Sequence, residues 1–409
     1  MYMKDWLPWI AITLLMAGFL FNRVVSNTGM LLIGLFTLAS LSRAAWLFRD
    51  KVLISLMGLA VLPLVSDIFY EKWHFFQERG IMKMVLVLLP VAFFCWGPDR
   101  QKQRIVHLLV LCTLLISTTY SMYHYLADYA SMAATYKVSK VMPTLSNSDH
   151  IRIAWATVVS IIIAFYEFFN NRSAIFKLIL ALYILLQIAF MHVLGAKTGL
   201  VTLYLSFVIL TYFFLPSGKK WLLALLFPIV LALPVIAYKT IPSLQERFHF
   251  IKYDFEHYSR GEYKPGLSDA VRFYSLKAGR DIIMEHPLTG VGFSRLQAAT
   301  EAWYTEYLPE LGKDNYFLPS SEYIIYWASG GLPGLLIFLL HIVIPFFDRS
   351  LRTNAWFMAF FIPAAISFLF ETHLEGQLPL YTYAFFFAWF WYLSYYSPEQ
   401  SAAKNVLKS

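Results

Sequence analysis

Five short stretches of this chain bring together side chains able to bind an anion or handle a proton. "HVLGAKTGL" (His192 to Leu200) sets Lys197 in a tight turn between two apolar runs. "SDHIRIAW" puts His150 and Arg152 at the head of another run. "DAVRFYSLKAGRDIIMEHPLTGVGF" carries Arg272, Arg280 and His286. "SSEYIIYWASGGLPGLL" opens on Ser320, Ser321 and Glu322, and "FLFETHLEGQLPLY" crowds Glu371, His373, Glu375 and Gln377 into one turn. Ionisable groups at the edges of apolar helices are costly and often mark substrate paths.

Each stretch also has a plainer reading. Lys197 can be a lysine snorkelling to an interface, and for His150 and Arg152 the two readings weigh the same. Thr198-Gly199 permits close helix packing. Arg272, Leu276, Gly279 and Ile283 recur at helical spacing, so Arg272 projects from a short amphipathic helix near 268–285. His286, Pro287, Gly290 and Gly292 read as the helix stop and tight turn that follow it. Glu371 and Glu375 stand at i, i+4 and share a face if their helix continues. A solvated turn is the alternative, although two acids and a histidine are dense for one. The grouping lacks the convergent ligands of a metal site, and no metal or cofactor is expected.

The elements that must position these groups are membrane helices. Of 409 residues, 59% are hydrophobic and 14% charged, far less charge than a soluble chain carries. The apolar residues come in runs near the roughly 20 residues needed to cross a bilayer. The fold expected is an all-α polytopic membrane protein of about 12 transmembrane helices. One large, partly helical periplasmic loop separates the ninth and tenth. Roughly, residues 1–238 hold the N-terminal helices, 239–321 the large loop, 322–396 the C-terminal helices and 397–409 a cytoplasmic tail. The loop is rich in aromatics (Phe248, Phe250, Tyr253, Phe255, Tyr258), and a loop of that length is functional or disordered; its composition favours a folded one.

The formal net charge of +8 raises nucleic acid as a partner, but Lys and Arg gather in cytoplasmic loops of membrane proteins, so none is expected. Arg43, Arg49 and Lys51, then Arg100, Lys102 and Arg104, then Arg172 and Lys177, Lys219 and Lys220, and Arg349 and Arg352 place both termini in the cytoplasm. Loops on the other side hold fewer basic residues: Arg23, Lys72, Arg79, Lys137 and Lys140. Cys95 and Cys112 fall inside apolar runs and read as packing residues. The first residues lack the basic region and cleavage site of a signal peptide, so the first helix is expected to stay. There is no P-loop to drive transport with ATP, and no H-E-x-x-H or G-x-S-x-G motif.

Taken in order, these motifs resemble the O-antigen ligase and O-antigen polymerase family of membrane glycosyltransferases. The arginine helix leading into "HPLTGVGF" is similar to the family's Arg…His-Pro-Leu-x-Gly-x-Gly. "SSEYIIYWASGGLPGLL" is similar to its His-Asn-x-Tyr-Leu…Gly-Leu-x-Gly, and "GAKTGL" stands where many members carry Ser-Arg. The match covers the C-terminal half; the N-terminal half agrees only as hydrophobic spans. The resemblance implies a bacterial inner-membrane enzyme that needs no metal and works at the periplasmic face. It would move a glycan from undecaprenyl diphosphate to lipid A–core or to another lipid-linked glycan, among membrane lipids. By position Arg272 and Lys197 match the cations that hold the diphosphate; an Arg fork bonds two oxygens and Lys acts as a point charge. Arg152, Arg280, Ser320, Ser321, Glu371, Glu375 and Gln377 are candidate substrate contacts.

One departure matters. Ser320 and Ser321 stand where many ligases have His-Asn, and a serine hydroxyl is a poor general base. Glu322 is then the candidate for the acceptor's proton, with His150 as the alternative. Two other functions fit the composition. A carrier or flippase of lipid-linked glycans needs the same spans and cations, but not the large loop, and often shows halves related by internal symmetry; none is evident here. A non-catalytic scaffold would explain the missing histidine.

Overall fold

Runs of Leu, Ile, Val and Phe that look alike in sequence are cut into separate helices by glycine and aspartate at their ends. Gly97 and Gly195 adopt left-handed φ of 57° and 62° and stop the helices before them, as C-terminal glycines do. Asp99 accepts from the Lys102 amide at 2.8 Å and starts the next helix. The computed structural model describes residues 3–41, 47, 49–68, 80–129, 132, 142–145, 150–223, 232, 235–236, 238–260, 262 and 268–396. Most of the expected ninth span (220–238) and the tail 397–409 lie outside the described residues, as do Arg43, Lys72, Arg79, Lys137 and Lys140.

Among the described residues there are helices and no strand. The longer ones, in order, are α1 (Met3–Leu20), α2 (Arg23–Ser40), α3 (Lys51–Ile68), α4 (Ile81–Trp96), α5 (Arg100–Ala127), α6 (His150–Asn170), α7 (Ala174–Leu194), α8 (Lys197–Phe214), α9 (Pro242–Ser259), α10 (Ser268–Glu285), α11 (Leu296–Tyr307), α12 (Glu322–Phe347), α13 (Ala355–Ser367) and α14 (Gln377–Tyr396). Six of them, α2, α5, α6, α7, α8 and α12, are long and apolar enough to cross a membrane. Shorter apolar helices occupy Trp6–Leu20, Lys51–Ser66, Ile81–Trp96 and Ala355–Ser367. The all-helical, multi-pass character expected from composition is therefore present.

The burial pattern is inverted relative to a soluble bundle. α7 exposes Ile175, Leu178, Ile179, Leu182 and Leu185, while Thr118, Ser160 and Gln187 are buried. Thr118 donates to Gln187 Oε1 at 2.7 Å and Tyr183 to Ser160 Oγ at 2.9 Å. Helices that meet across polar contacts and turn apolar flanks outward suit a hydrocarbon surrounding. α14 is the exception: its residues from Pro379 to Ser394 are buried on all sides, as expected of a helix that is hydrophobic all round. Gly199 lets α8 close on α6, where a Cβ would stand 2.5 Å from that of Ala154.

The segment expected as a large loop is folded and docked. α10 lies against α12 through Gly279, whose Cβ would meet Ile324 at 2.4 Å and Pro319 at 2.8 Å. α9 caps α10: the Asp254 carboxylate accepts from the backbone amides of Asp269 and Ala270 at 2.7 and 3.2 Å, satisfying donors that open a helix.

"HPLTGVGF" docks on a break in α12. Gly331 has φ 61° and ψ −156° inside that helix, and Pro333 has no amide to offer Ser329 four residues back. The carbonyls of Ala328 and Ser329 are thus left without helical donors. Val291 and Gly292 supply them, at 2.9 and 2.8 Å, and the Trp327 indole donates to the Pro287 carbonyl at 3.1 Å. The two glycine motifs are one joint.

Candidate active site

α6, α8 and α12 all begin at the end of the bundle where α10 docks, and this convergence builds the site. Arg152, Arg272, Ser320, Thr372, Glu375 and Gly376 line a cavity of about 490 Å³. A smaller one of about 110 Å³ adjoins it through Arg272 and is lined by His150, Lys197 and Arg247. Lys197 donates to both oxygens of Asp269 at 2.9 and 2.7 Å. Arg272 donates to Glu371 and stands 4.0 Å from Asp269. Two cations from distant parts of the chain are thereby held side by side by carboxylates from α10 and the turn after α13. Both keep about a quarter of their side-chain surface exposed, 27% for Lys197 and 25% for Arg272, so an incoming anion can compete for them.

Not every expected residue joins this cavity. Ser320 does, and its hydroxyl shares a 2.9 Å hydrogen bond with Ser275 of α10. Ser321 is buried as the N-cap of α12 and donates to the Phe368 carbonyl at 3.2 Å. Arg280 is exposed and pairs with its neighbour Asp281 at 2.7 Å. Gln377 begins α14 and bonds Asn27 at 2.6 Å, on a separate cavity with Arg23 and Tyr381. The condition for Glu371 and Glu375 to share a helix face is not met: α13 stops at Ser367, the chain turns, and the two acids part. Glu371 faces Arg272, whereas Glu375 accepts from buried Lys83 at 2.5 Å.

Glu322 is fully buried at the start of α12 and accepts from the Leu374 amide. It does not line the cavity; it braces the turn that carries Glu375. His373 is buried on the same turn, stacked on Trp155 at 4.8 Å and bonded to Ser367 Oγ at 2.8 Å. Burial, with Arg152 adding to it, pushes its imidazole down to about 3. The unfolded chain therefore binds a proton here between about pH 6.5 and 3 that the folded chain refuses. His373's contribution is complete above about 6.5 and is lost as pH falls toward 3. The melting temperature of detergent-purified protein should drop on acidification from about pH 7 to 4, and less steeply in His373→Gln. An equal slope in the variant would assign the acid sensitivity elsewhere.

Three participants were missed in the sequence. Lys83 is a lone cation in "IMKMVLVLLP", with 1% of its side chain exposed, lying 5.1 Å from the ring centroid of Phe293 and 4.9 Å from that of Tyr326. A single lysine inside an apolar run was the available signal. Arg247 belongs to a buried stripe of α9, Leu244, Arg247, Phe250 and Asp254, whose helical spacing was legible. Asp269 opens α10 beside the arginine that was singled out.

Residues 182–339 match the family model described as O-antigen ligase. Over this stretch the chain is similar to the O-antigen ligase family. The match starts in α7 and runs through Lys197, α10, the glycine joint and most of α12. It therefore holds the cation pair and Ser320, while Arg152, Glu371 and Glu375 lie outside it. A search of curated proteins finds no match. The O-antigen ligase family supports a membrane glycosyltransferase of ligase or polymerase type acting on lipid-linked glycans.

Proposed function

We propose that this protein transfers a glycan from undecaprenyl diphosphate to a hydroxyl acceptor at the periplasmic face of the bacterial inner membrane, with both termini in the cytoplasm. The acceptor is lipid A–core for a ligase or a second lipid-linked glycan for a polymerase. The observation that carries this reading is the convergence of Lys197, Arg247 and Arg272 on one small cavity that opens, through Arg272, onto a larger one. A departing diphosphate gathers negative charge as the glycosyl bond breaks. Cations already in place stabilise that charge more in the transition state than in the ground state, which is how a site lowers a barrier. The larger cavity, about 490 Å³, has room beside Arg152 and Ser320 for the sugar that bears the acceptor hydroxyl.

The surface glycans of a deletion strain test the proposal. Ligase loss leaves bare core while lipid-linked polymer accumulates; polymerase loss leaves core carrying a single repeat. An unchanged profile, with no turnover by the purified protein on a polyprenyl-diphosphate glycan, would remove the assignment.

A further inference from the structure

The family motif leaves no base where this chain has Ser320, because that hydroxyl is engaged with Ser275. Among the described residues lining the larger cavity, Glu375 is the one carboxylate, and no histidine joins it. Lys83 occupies Oε1 of Glu375, and no other hydrogen-bond partner of that carboxylate is found among the described residues. Lys83 reaches Glu375 from α4 with 1% of its side chain exposed, where burial of an ammonium is tolerated only against an anionic partner. Glu322 fixes the same turn from below through the Leu374 amide. The arrangement clamps one oxygen of Glu375 and leaves the other to the cavity, as a group that must meet a substrate requires.

We propose that Glu375 receives the acceptor hydroxyl's proton and that Lys83 is the positioning residue that holds it, an inference resting on the glycosyl-transfer reading above. As the acceptor oxygen bonds to the anomeric carbon, the bond from that carbon to the diphosphate oxygen breaks. The electron pair leaves with the diphosphate beside Arg272, and the hydroxyl proton passes to Oε2 of Glu375. The proton then exits through the open cavity to water. Glu371 does not line the larger cavity, and His150 lines the adjoining one with Lys197.

The test uses the full chain in nanodiscs, a polyprenyl-diphosphate glycan as donor, and lipid A–core or a second lipid-linked glycan as acceptor. Glu375→Gln should lower kcat about 100-fold or more, leave the donor KM within about twofold, and abolish the acid limb of the pH–rate profile. Lys83→Met should lower kcat less and shift that limb. Because a buried charge left without its partner can unfold a protein, the double variant Lys83→Met/Glu375→Gln removes both charges and should be folded and inactive. Turnover within about threefold of native in Glu375→Gln or in the double variant, with the native pH profile, would overturn the inference alone. No turnover by the native protein on either acceptor would overturn the glycosyl-transfer reading with it.

Discussion

Arg272→Ala should cut glycan transfer roughly 100- to 1,000-fold while the protein stays folded. A donor aimed at charge that develops in the transition state contributes about 3 kcal/mol or more in a water-poor site, and Arg272 is the residue that both cavities share. Its ion pair with Glu371 leaves only 25% and 13% of the two side chains exposed, so the alanine variant strands a shielded carboxylate. The double variant Arg272→Ala/Glu371→Gln removes both charges and separates loss of chemistry from loss of stability. Arg272→Lys should recover part of the rate, because it keeps the charge and loses the two-pronged geometry. Lys197→Ala should behave like Arg272→Ala with a smaller effect, since Lys197 contributes a point charge. Transfer by purified protein at matched amounts, with melting curves in parallel, is the measurement. Native rates in both alanine variants would take this cation pair out of the reaction.

Gly331→Ala should be the most damaging single change outside the cavity. Its φ of 61° with ψ −156° belongs to a region that residues with a side chain essentially do not enter, at a cost of about 1–3 kcal/mol. The added Cβ would also stand 2.2 Å from the Leu288 carbonyl oxygen, a backbone atom that cannot swing aside. Relief requires the 286–293 turn to lift off α12, which leaves the Ala328 and Ser329 carbonyls without donors; each such loss costs about 1–3 kcal/mol when buried. Gly290→Ala meets the joint from the other side, with a Cβ 2.3 Å from the Ser329 carbonyl oxygen. Both variants should lose yield and melt earlier, and any protein recovered should transfer glycan poorly, because Phe293 packs over Lys83. A native melting temperature in Gly331→Ala would show that the joint tolerates opening.

The helical architecture was legible because hydropathy and helix-stop residues are local signals. Expected and observed limits agree closely for the helix near 268–285 and for the apolar runs that became α6, α7, α8 and α12. The paired glycine motifs were legible as turns but not as partners. Nothing in "GVGF" says that its amides repair a break in "SGGLPG"; that follows only once α10 lies along α12. Whether Glu371 and Glu375 share a face was left open by their i, i+4 spacing for a related reason: spacing gives a shared face only where a helix continues, and α13 ends first.

The sequence by itself determined that this chain is a bundle of apolar helices, that a folded segment precedes α12, and that cations gather near particular helix ends, since composition and periodicity carry those facts residue by residue. Only the tertiary structure decided which charge answers which. Lys197 meets Asp269 across 72 positions, Arg272 meets Glu371 across 99, and Lys83 meets Glu375 across 292. A buried charge needs a partner wherever it lies in the chain, and which partner it finds is set by the docking of whole helices, on which neighbouring residues in the sequence have no bearing.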